Sequence, residues 1–263
     1  MLKVGSKNIA NVQVGSKKVK QIYAGSKLVW EAISLPANFA DATPAQIKYA
    51  FDNKKVPSTW AVGDEHTITL TNGNVYALRI LDMTEGRYSK TDGSGKTNCV
   101  LGFTSTMSYN DSTYNSSNWS DSYLYKTSAP YYLNLIPSEW QEIVSEVKLP
   151  VIVYSSGKGG SVDSKLFTPA MAEIVDTLDD SAYAIEGTVF DYYKGLGTAS
   201  ADIRRIYKRE YGDKTIDTTK YWQTWLRTPN LKNGTVWNLS TSGGVTFSNS
   251  SGNYFGIWFV FAI

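Results

Sequence analysis

The sequence predicts an α+β protein, and three observations point to this class. A helix start at Thr43-Pro44 combines a capping residue with a proline at the first helical position. Alternating apolar residues on both sides of Asn72-Gly73 predict a β-hairpin. The last stretch of about fifty residues holds several short β-rich runs that are separated by glycine turns. We therefore expect helices and strands in the same chain.

The composition favours a folded protein and argues against two classes of partner. The chain has 263 residues and a formal net charge of +2, and its 26 basic residues are dispersed. Phosphate binding needs a clustered basic face, so we expect no nucleic-acid partner. No run is long and apolar enough to cross a membrane, and the first ten residues lack the apolar core of a signal peptide. We expect neither membrane insertion nor export by a signal peptide.

One cysteine and one histidine limit the chemistry that the chain can perform. Cys99 alone argues against a disulfide framework and a cysteine-based zinc site, and its neighbours Val100 and Leu101 favour a buried thiol. His66, at a strand entry, is expected to be a structural or surface residue rather than part of a Ser-His-Asp centre. Acidic residues lack the spacing of a calcium loop. We expect no metal and no cofactor.

The first 31 residues carry a ten-residue repeat. VGSKN begins at Val4, VGSKK at Val14 and AGSKL at Ala24, and apolar residues follow each Gly-Ser-Lys turn. Glycine allows a tight turn and β-branched residues suit short strands, so residues 1–31 are predicted to form a small β-meander. Three short strands bury too little to be stable alone, so we expect this module to pair with other copies or to dock on a larger assembly. A hairpin attached to the main domain is the alternative.

Residues 32–43 are predicted to be a linker, and a helix follows it. Thr43 is the expected N-cap, Pro44 the first helical residue, and Gln46 completes a capping box. The hairpin around Asn72-Gly73 comes next. Residues 84–131 are mostly loop-like, which predicts either a functional loop or an irregular fold.

The second half of the chain alternates between helix and strand signals. An amphipathic helix is predicted over residues 136–147, a strand over 148–156, a helix that starts at Thr168-Pro169, and a further helix with a solvated basic face over 201–212. Three or four strands are predicted after residue 220. Their turns are expected at Asn233-Gly234, Gly243-Gly244 and Ser251-Gly252.

Several of these segments carry a resemblance to a known family. The most specific are Trp225-Leu226-Arg227-Thr228-Pro229, Gly243-Gly244-Val245 and the closing Tyr254-Phe255-Gly256-Ile257. Over residues 44–263 the chain resembles domains of the DUF6273 type. That family is similar in outline to the C-type-lectin-like fold of formylglycine-generating enzymes and phage tropism proteins. The resemblance implies a C-type-lectin-like domain over residues 44–263.

The N-terminal repeat carries a second resemblance. Its units, which end in Leu28-Val29-Trp30-Glu31, resemble the N-termini of tail and baseplate-associated proteins of Gram-positive phages. Together the two resemblances imply a phage tail protein that is attached to other virion tail proteins through residues 1–31. They imply a location on the virion, or at the cell surface if the gene belongs to the host. A homotrimer is compatible with this picture, because multivalency strengthens weak surface contacts.

The resemblance includes an enzyme branch, which the residues argue against. Formylglycine-generating enzymes work through paired cysteines, and this chain has a single cysteine. The acidic pairs Asp64-Glu65 and Asp179-Asp180 stand in turn-like contexts, and the glycine run at residues 157–160 lacks the spacing of a phosphate loop. We therefore predict that the chain is not an enzyme. An enzyme of this fold that acts on cell-surface substrates, and a purely structural virion protein, remain the alternatives.

The C-terminal segment has the composition of a binding surface. Tyr and Trp supply rigid contact area and Ser, Asn and Gly supply adaptable hydrogen bonds, as in antibody paratopes. The expected ligand is a bacterial cell-surface protein or carbohydrate. We predict ligand contacts from Asn230, Asn233, Asn238, Thr241, Thr246, Phe247, Ser248, Asn249, Asn253 and Tyr254.

The same segment divides into a predicted surface and a predicted scaffold. Trp237, Leu239, Val245 and residues 257–263 are expected to form the scaffold. The resemblance to tropism proteins further implies that a diversity-generating retroelement varies the Asn, Ser, Thr, Tyr and Phe positions of the surface. Tryptophan cannot be reached from the asparagine codons that such elements mutate, so Trp237 and Trp258 are expected to be constant.

Overall fold

A computed structural model shows a mixed α+β chain that consists mostly of short strands in small antiparallel sheets. The α+β prediction is therefore confirmed. The structure describes six strand segments between residues 3 and 31 by their backbone, and residues 33–107, 114–176, 181–196, 199, 201–208, 219–250 and 255–263. Within these described residues no helix combines the length and the hydropathy that a membrane span requires.

The N-terminal repeat forms three two-stranded antiparallel hairpins. Their strands are β1 Lys3–Val4, β2 Lys7–Asn8, β3 Val12–Val14, β4 Lys17–Val19, β5 Gln21–Ala24 and β6 Lys27–Glu31. Each repeat thus contributes a strand on both sides of its Gly-Ser pair, whereas the sequence predicted one strand per repeat. Pairing within a repeat needs only a short connection between its two strands.

The first helix, α1 (Pro44–Asp52), begins where the sequence predicted. The backbone N–H of Gln46 donates to Thr43 Oγ1 at 3.3 Å, and the backbone N–H of Thr43 donates to Gln46 Oε1 at 2.8 Å. This reciprocal capping box satisfies two donors that the first turn of a helix would otherwise leave unpaired. Ile47, Ala50 and Phe51 then pack into the core.

A four-stranded antiparallel sheet forms the centre of the domain. It contains β7 (Glu65–Thr69), β8 (Val75–Asp82), β10 (Val100–Phe103) and β18 (Val260–Ala262), in the order β18-β10-β8-β7. The predicted hairpin around Gly73 joins β7 to β8, and Gly73 has a φ of 82°. All residues from 257 to 263 are buried, so the apolar end of the chain is part of the core, as the sequence predicted for a scaffold.

A second sheet, in the order β12-β11-β9, consists of β9 (Ser89–Lys90), β11 (Val147–Val153) and β12 (Lys158–Ser164). Three short helices lie near it in sequence: α2 (Ala129–Leu135), which follows a π-helical turn at Leu124–Ser128, α3 (Ser138–Gln141) and α4 (Met171–Ile174). The helix predicted over 136–147 is correct only for α3. The backbone N–H of Ser145 donates to the Ala262 carbonyl at 2.8 Å, so pairing with the end of the chain replaces the rest of that helix.

Two further helix predictions need correction. The helix expected at Thr168-Pro169 starts later, at Met171, because the carbonyl groups of Thr168 and Pro169 accept hydrogen bonds from Arg227 instead. The described part of the segment 201–212 is a 3-10 turn, Asp202–Arg204, followed by β13 (Ile206–Tyr207), which pairs with β14 (Tyr221–Trp222). The segment was predicted to be a solvated basic helix, but the side chain of Arg204 is fully buried.

The C-terminal sheet contains β15 (Thr224–Pro229), β16 (Val236–Leu239) and β17 (Val245–Ser248), in that order and antiparallel. The predicted turns at Asn233-Gly234 and Gly243-Gly244 are confirmed, and their glycines Gly234 and Gly243 have φ values of 71° and 76°. The turn predicted at Ser251-Gly252 lies outside the described residues.

Candidate functional site

The register of β16 and β17 divides the predicted contact residues between two faces of the sheet. Trp237 lies opposite Phe247, and Asn238 lies opposite Thr246. Because successive side chains of a strand alternate, Trp237 and Phe247 share one face, while Asn238 and Thr246 share the other. The structure therefore separates Phe247 from the polar residues with which the sequence grouped it.

An aromatic pair occupies the first of these faces. The rings of Trp237 and Phe247 meet edge to face, with their centroids 5.4 Å apart. Phe247 is 47% exposed, whereas Trp237 is half-buried and its ring also meets that of Tyr183 edge to face, with centroids 6.0 Å apart. Tyr183 is buried and its hydroxyl accepts a hydrogen bond from the backbone N–H of Leu231. A row of three rings thus leads from the core to the surface.

The exposure of the predicted contact residues varies. Asn233, Thr241, Phe247 and Asn249 are exposed, Thr246 and Ser248 are half-buried, Asn230 and Asn238 are buried, and Asn253 and Tyr254 lie outside the described residues. No residue after Lys232 is charged. We call the four exposed side chains, together with Trp237, the hairpin surface.

The two buried asparagines serve the fold. Asn238 Oδ1 accepts a hydrogen bond from Gln223 Nε2 at 2.6 Å. Asn230 Oδ1 accepts from the backbone N–H of Lys232 at 3.0 Å, and the backbone N–H of Asn230 donates to the Thr235 carbonyl, which closes the turn before β16. Neither side chain reaches the hairpin surface.

A buried arginine fixes the loop between β16 and β17. Arg204 Nε donates to the Gly243 carbonyl at 2.9 Å, and its Nη1 donates to the Ile174 carbonyl at 3.3 Å. The loop also closes on itself, because the backbone N–H of Gly243 donates to the Ser240 carbonyl at 2.9 Å. The turn that carries Thr241 is therefore anchored to the body of the domain.

A second buried arginine lies beneath the sheet, within the Trp225–Pro229 motif. Arg227 uses all five of its N–H donors. Nε donates to the Pro150 carbonyl, Nη1 to the Thr168 carbonyl and to Glu173, and Nη2 to Glu173 and to the Glu186 carbonyl. Both bonds to the Glu173 carboxylate measure 2.7 Å, which is the bidentate geometry of a strong charge-assisted pair. This motif therefore joins four separate segments of the chain.

The Glu173 carboxylate has further partners. It accepts hydrogen bonds from the Tyr88 hydroxyl and from the backbone N–H of Ala170. Burial raises the pKa of Tyr88, and the negative charge of Glu173 raises it further. Burial alone would lower the pKa of Arg227, but the charge of Glu173 outweighs this effect and raises it. The Arg227–Glu173 ion pair is therefore part of the structural core.

A second carboxyl group, that of Glu186, approaches the same arginine. Glu186 accepts hydrogen bonds from the Thr228 hydroxyl and from the backbone N–H of Ile152. Burial raises its pKa to about 7, although Arg227 and these hydrogen bonds favour the charged form. Glu186 ends the 3-10 helix Ser181–Glu186 that carries Tyr183, so the buried cluster also supports the base of the aromatic row.

A family model, described as a domain of unknown function (DUF6273), matches residues 95–263. The chain belongs to the DUF6273 family. The matched region contains Arg227, Glu173, Glu186 and the whole C-terminal sheet. No curated protein and no solved structure matches the chain.

Candidate catalytic residues of the chain have structural contacts. Asp64 accepts from the backbone N–H of Ala61 at 2.9 Å, and Glu65 forms an ion pair with Arg79. His66 lies between two backbone carbonyls, at 2.8 Å from each, and its ring meets Trp140 edge to face. These two acidic residues and the histidine therefore have roles in the fold, while Asp179 and Asp180 lie outside the described residues.

The thiol and the acidic groups of the DUF6273 chain show no metal centre within the described residues. Cys99 is buried, as predicted, and burial raises the pKa of its thiol. Among the described residues, no group of three or more His, Cys, Asp or Glu side chains could hold a metal ion.

The sequence analysis missed the acidic partners of β15 and the partial exposure of Trp237. Glu173 and Glu186 lie 54 and 42 residues from their partners on β15, and no local pattern links them. The exposure of Trp237 had a usable signal, because strand alternation in Val236–Leu239 places Trp237 and Asn238 on opposite faces. Composition alone placed Trp237 in the scaffold and Asn238 on the surface, whereas Asn238 is buried and Trp237 is half-buried.

Proposed function

We propose that this DUF6273 protein is a non-catalytic ligand-binding protein whose contact surface is the hairpin surface. The observation that carries the proposal is the Trp237–Phe247 pair, which exposes an aromatic ring in a chain segment that has no charged residue after Lys232. Aromatic rings supply large contact area at low entropic cost, and hydroxyl and amide groups around them supply adaptable hydrogen bonds.

The surroundings of the hairpin surface support this role. Arg204 anchors the loop after β16, Tyr183 backs Trp237, and the Arg227 cluster holds β15 from below. Binding costs less when the contact groups are already held in place. A hairpin whose turn is anchored by Arg204 and whose Phe247 side chain is exposed combines rigid support with a changeable surface.

The proposed ligand is a protein or a glycan on a bacterial surface, and the proposed setting is the tail of a phage. The resemblance of residues 1–31 to phage tail proteins supports attachment to other tail proteins. A C-type-lectin-like fold and retroelement-driven variation of the hairpin surface are part of the same proposal. Tail genes beside this gene would support the setting, and the lack of a neighbouring reverse transcriptase and template repeat would remove the variation hypothesis.

A cell-binding experiment tests the proposed contact surface. The labelled full chain is incubated with Gram-positive cells and with their purified cell-wall polysaccharide, and retained protein is measured. Phe247→Ser should reduce retention at least about tenfold, because truncating an aromatic residue at the centre of an interface costs about 2 kcal/mol or more when it is a hot spot. Tyr131→Ser is the matched control, because Tyr131 is a 57% exposed aromatic residue on α2.

The outcomes separate clearly. Loss of retention in Phe247→Ser but not in Tyr131→Ser supports the proposal. Equal retention by both variants and the unaltered chain places the contact elsewhere. Retention of none of the three on a broad panel of cells contradicts a role in surface binding.

A further inference from the structure

A cleft of about 290 Å³ lies between the π-helical turn with α2 and the end of β12. Neither Trp237 nor Phe247 lines it. Its apolar wall includes Tyr125, Ala129 and Leu133. Charged side chains also line it, namely Lys126, Glu146, Asp163 and Lys165. An apolar wall with a few polar groups around it is the usual build of a small-molecule site.

The ring of Tyr125 is held in a fixed position at this cleft. Its hydroxyl donates to the Asp163 carbonyl at 3.0 Å, and its backbone N–H donates to Ser122 Oγ at 3.1 Å. The ring also packs against the buried Trp119, with centroids 5.8 Å apart. Tyr125 belongs to a π-helical turn, an irregularity that often accompanies function. The ring is therefore a prepared platform for stacking.

The cleft has equal numbers of positive and negative side chains, and two of these side chains are available to a ligand. Two lysines stand against two carboxylates, so the cleft has no net charge that would select an ion. Among the described residues, Lys165 has no ion-pair partner and the Asp163 carboxylate accepts no hydrogen bond. Carboxylates accept and ammonium groups donate hydrogen bonds, so together they complement the hydroxyl groups of a neutral ligand.

A second cleft, of about 390 Å³, continues from the first. The two share Glu146 and Lys165, and the second is also lined by Lys90, Thr91 and Ser94. Thr91 Oγ1 donates to Glu146 at 2.8 Å, which fixes the carboxylate at the junction. The combined trough thus has an aromatic end and a polar end.

We infer that this trough binds a neutral oligosaccharide, with one sugar ring stacked on Tyr125 and the next extending past Glu146 and Lys165. The apolar C–H face of a pyranose matches an aromatic ring, and its hydroxyl groups match the charged groups at the junction. The inference is independent of the proposed function, because the trough and the hairpin surface share no residue.

Titration of the full chain with defined sugars tests the inference. The probes are glucose, galactose and N-acetylglucosamine and their β-1,4-linked disaccharides, and the readout is protein-observed NMR. We expect saturable binding, with at least one disaccharide binding more tightly than its monosaccharide. Tyr125→Leu should abolish binding, whereas Tyr125→Phe, which keeps the ring, should retain it.

Charge variants supply a second measurement if Tyr125→Leu does not fold. Lys165→Met and Asp163→Asn should each weaken binding at least about fivefold, since each removes one of the few polar contacts. Lys158→Met, which lies on β12 with Asp163 but does not line the trough, should leave the affinity unchanged. No saturable binding of any sugar, equal binding by Lys165→Met and Lys158→Met, or binding of glycylglycine in place of sugars overturns the inference.

Discussion

The two ends of the C-terminal sheet differ in how they use polar groups. On β15, the charged group of Arg227 is fully buried, and each of its donors has a partner from the chain. On β16 and β17 there is no charge at all, and an aromatic ring is exposed to solvent. Buried charges fix geometry because they tolerate few arrangements, whereas exposed uncharged groups can change at little cost to the stability of the fold.

This contrast predicts how substitutions in the two regions change the stability of the fold. Changes in the Arg227 cluster should cost stability, and changes of the exposed Phe247 side chain on β17 should cost little stability. The loop at Gly243 lies between these extremes, because it belongs to the hairpin but is tied to the buried Arg204.

The largest effect is expected for Arg227→Met. The substitution leaves the Glu173 carboxylate buried without its cation, and breaking one side of a buried pair costs about 3–5 kcal/mol. Urea denaturation of the variant should therefore show a large loss in the free energy of unfolding. Lys54→Met is the control, because Lys54 pairs with Glu85 at the surface, where such pairs contribute about 1 kcal/mol or less. A loss as small in Arg227→Met as in the control would refute the role given to the cluster.

Glu186 is expected to make the free energy of unfolding depend on pH. Burial raises its pKa in the folded chain to about 7, from an ordinary value of 4.5. The folded chain therefore holds this proton more tightly than the unfolded chain does. The stabilisation is complete below pH 4.5, falls as the pH rises to about 7, and then levels off. At about 1.4 kcal/mol per pKa unit, the total is roughly 3 kcal/mol.

Glu186→Gln isolates this contribution. Glutamine keeps an oxygen for the Ile152 N–H and a donor for the Thr228 hydroxyl, but it cannot ionise. The difference in unfolding free energy between the variant and the unaltered chain, measured from pH 4.5 to 8, should shift in favour of the variant as the pH rises. A difference that stays constant over this range would show that Glu186 keeps one protonation state there.

A smaller loss, of roughly 2–3 kcal/mol, is expected for Gly243→Ala. Gly243 has a φ of 76°, and an added Cβ would meet the backbone carbonyl oxygen of Ala201. Gly93→Ala is a matched control, because Gly93 has a φ of 72° but no atom within 4 Å of an added Cβ. The difference in melting temperature between the two variants therefore measures the contact with Ala201. Equal melting temperatures would mean that the loop can move away from its anchor.

Sequence alone predicted those elements whose signals are local. The capping box at Thr43 and Gln46 and the glycine turns at Gly73 and Gly243 all lie where expected. The helix over 201–212 failed because Arg204 was assumed to be solvated. Its guanidinium is instead buried among carbonyl groups from distant segments, and these contacts exist only in the folded chain.

The sequence drew attention to the C-terminal segment, but it did not predict which side chains of that segment are exposed. Composition directed attention to the segment after Asn230, which does contain the exposed hairpin. It could not separate residues by face, so it placed the buried Asn238 on the surface and Trp237 in the scaffold. The Arg227 motif was visible as a motif, yet its partners Glu173 and Glu186 come from other segments, so its structural role became evident only from the fold.

The smallest effect on stability is expected for Phe247→Ala. The ring is 47% exposed, and its edge-to-face contact with Trp237 is its clearest packing interaction. Such a contact contributes about 0.5–1.5 kcal/mol, so the loss should lie below that of Gly243→Ala. A double-mutant cycle with Trp237→Ala, followed by urea denaturation, measures the coupling between the two rings. A loss in Phe247→Ala as large as that of Gly243→Ala would make the ring part of the core. In that case the exposed end of the sheet would no longer be free to change, and the contrast with the Arg227 cluster would fail.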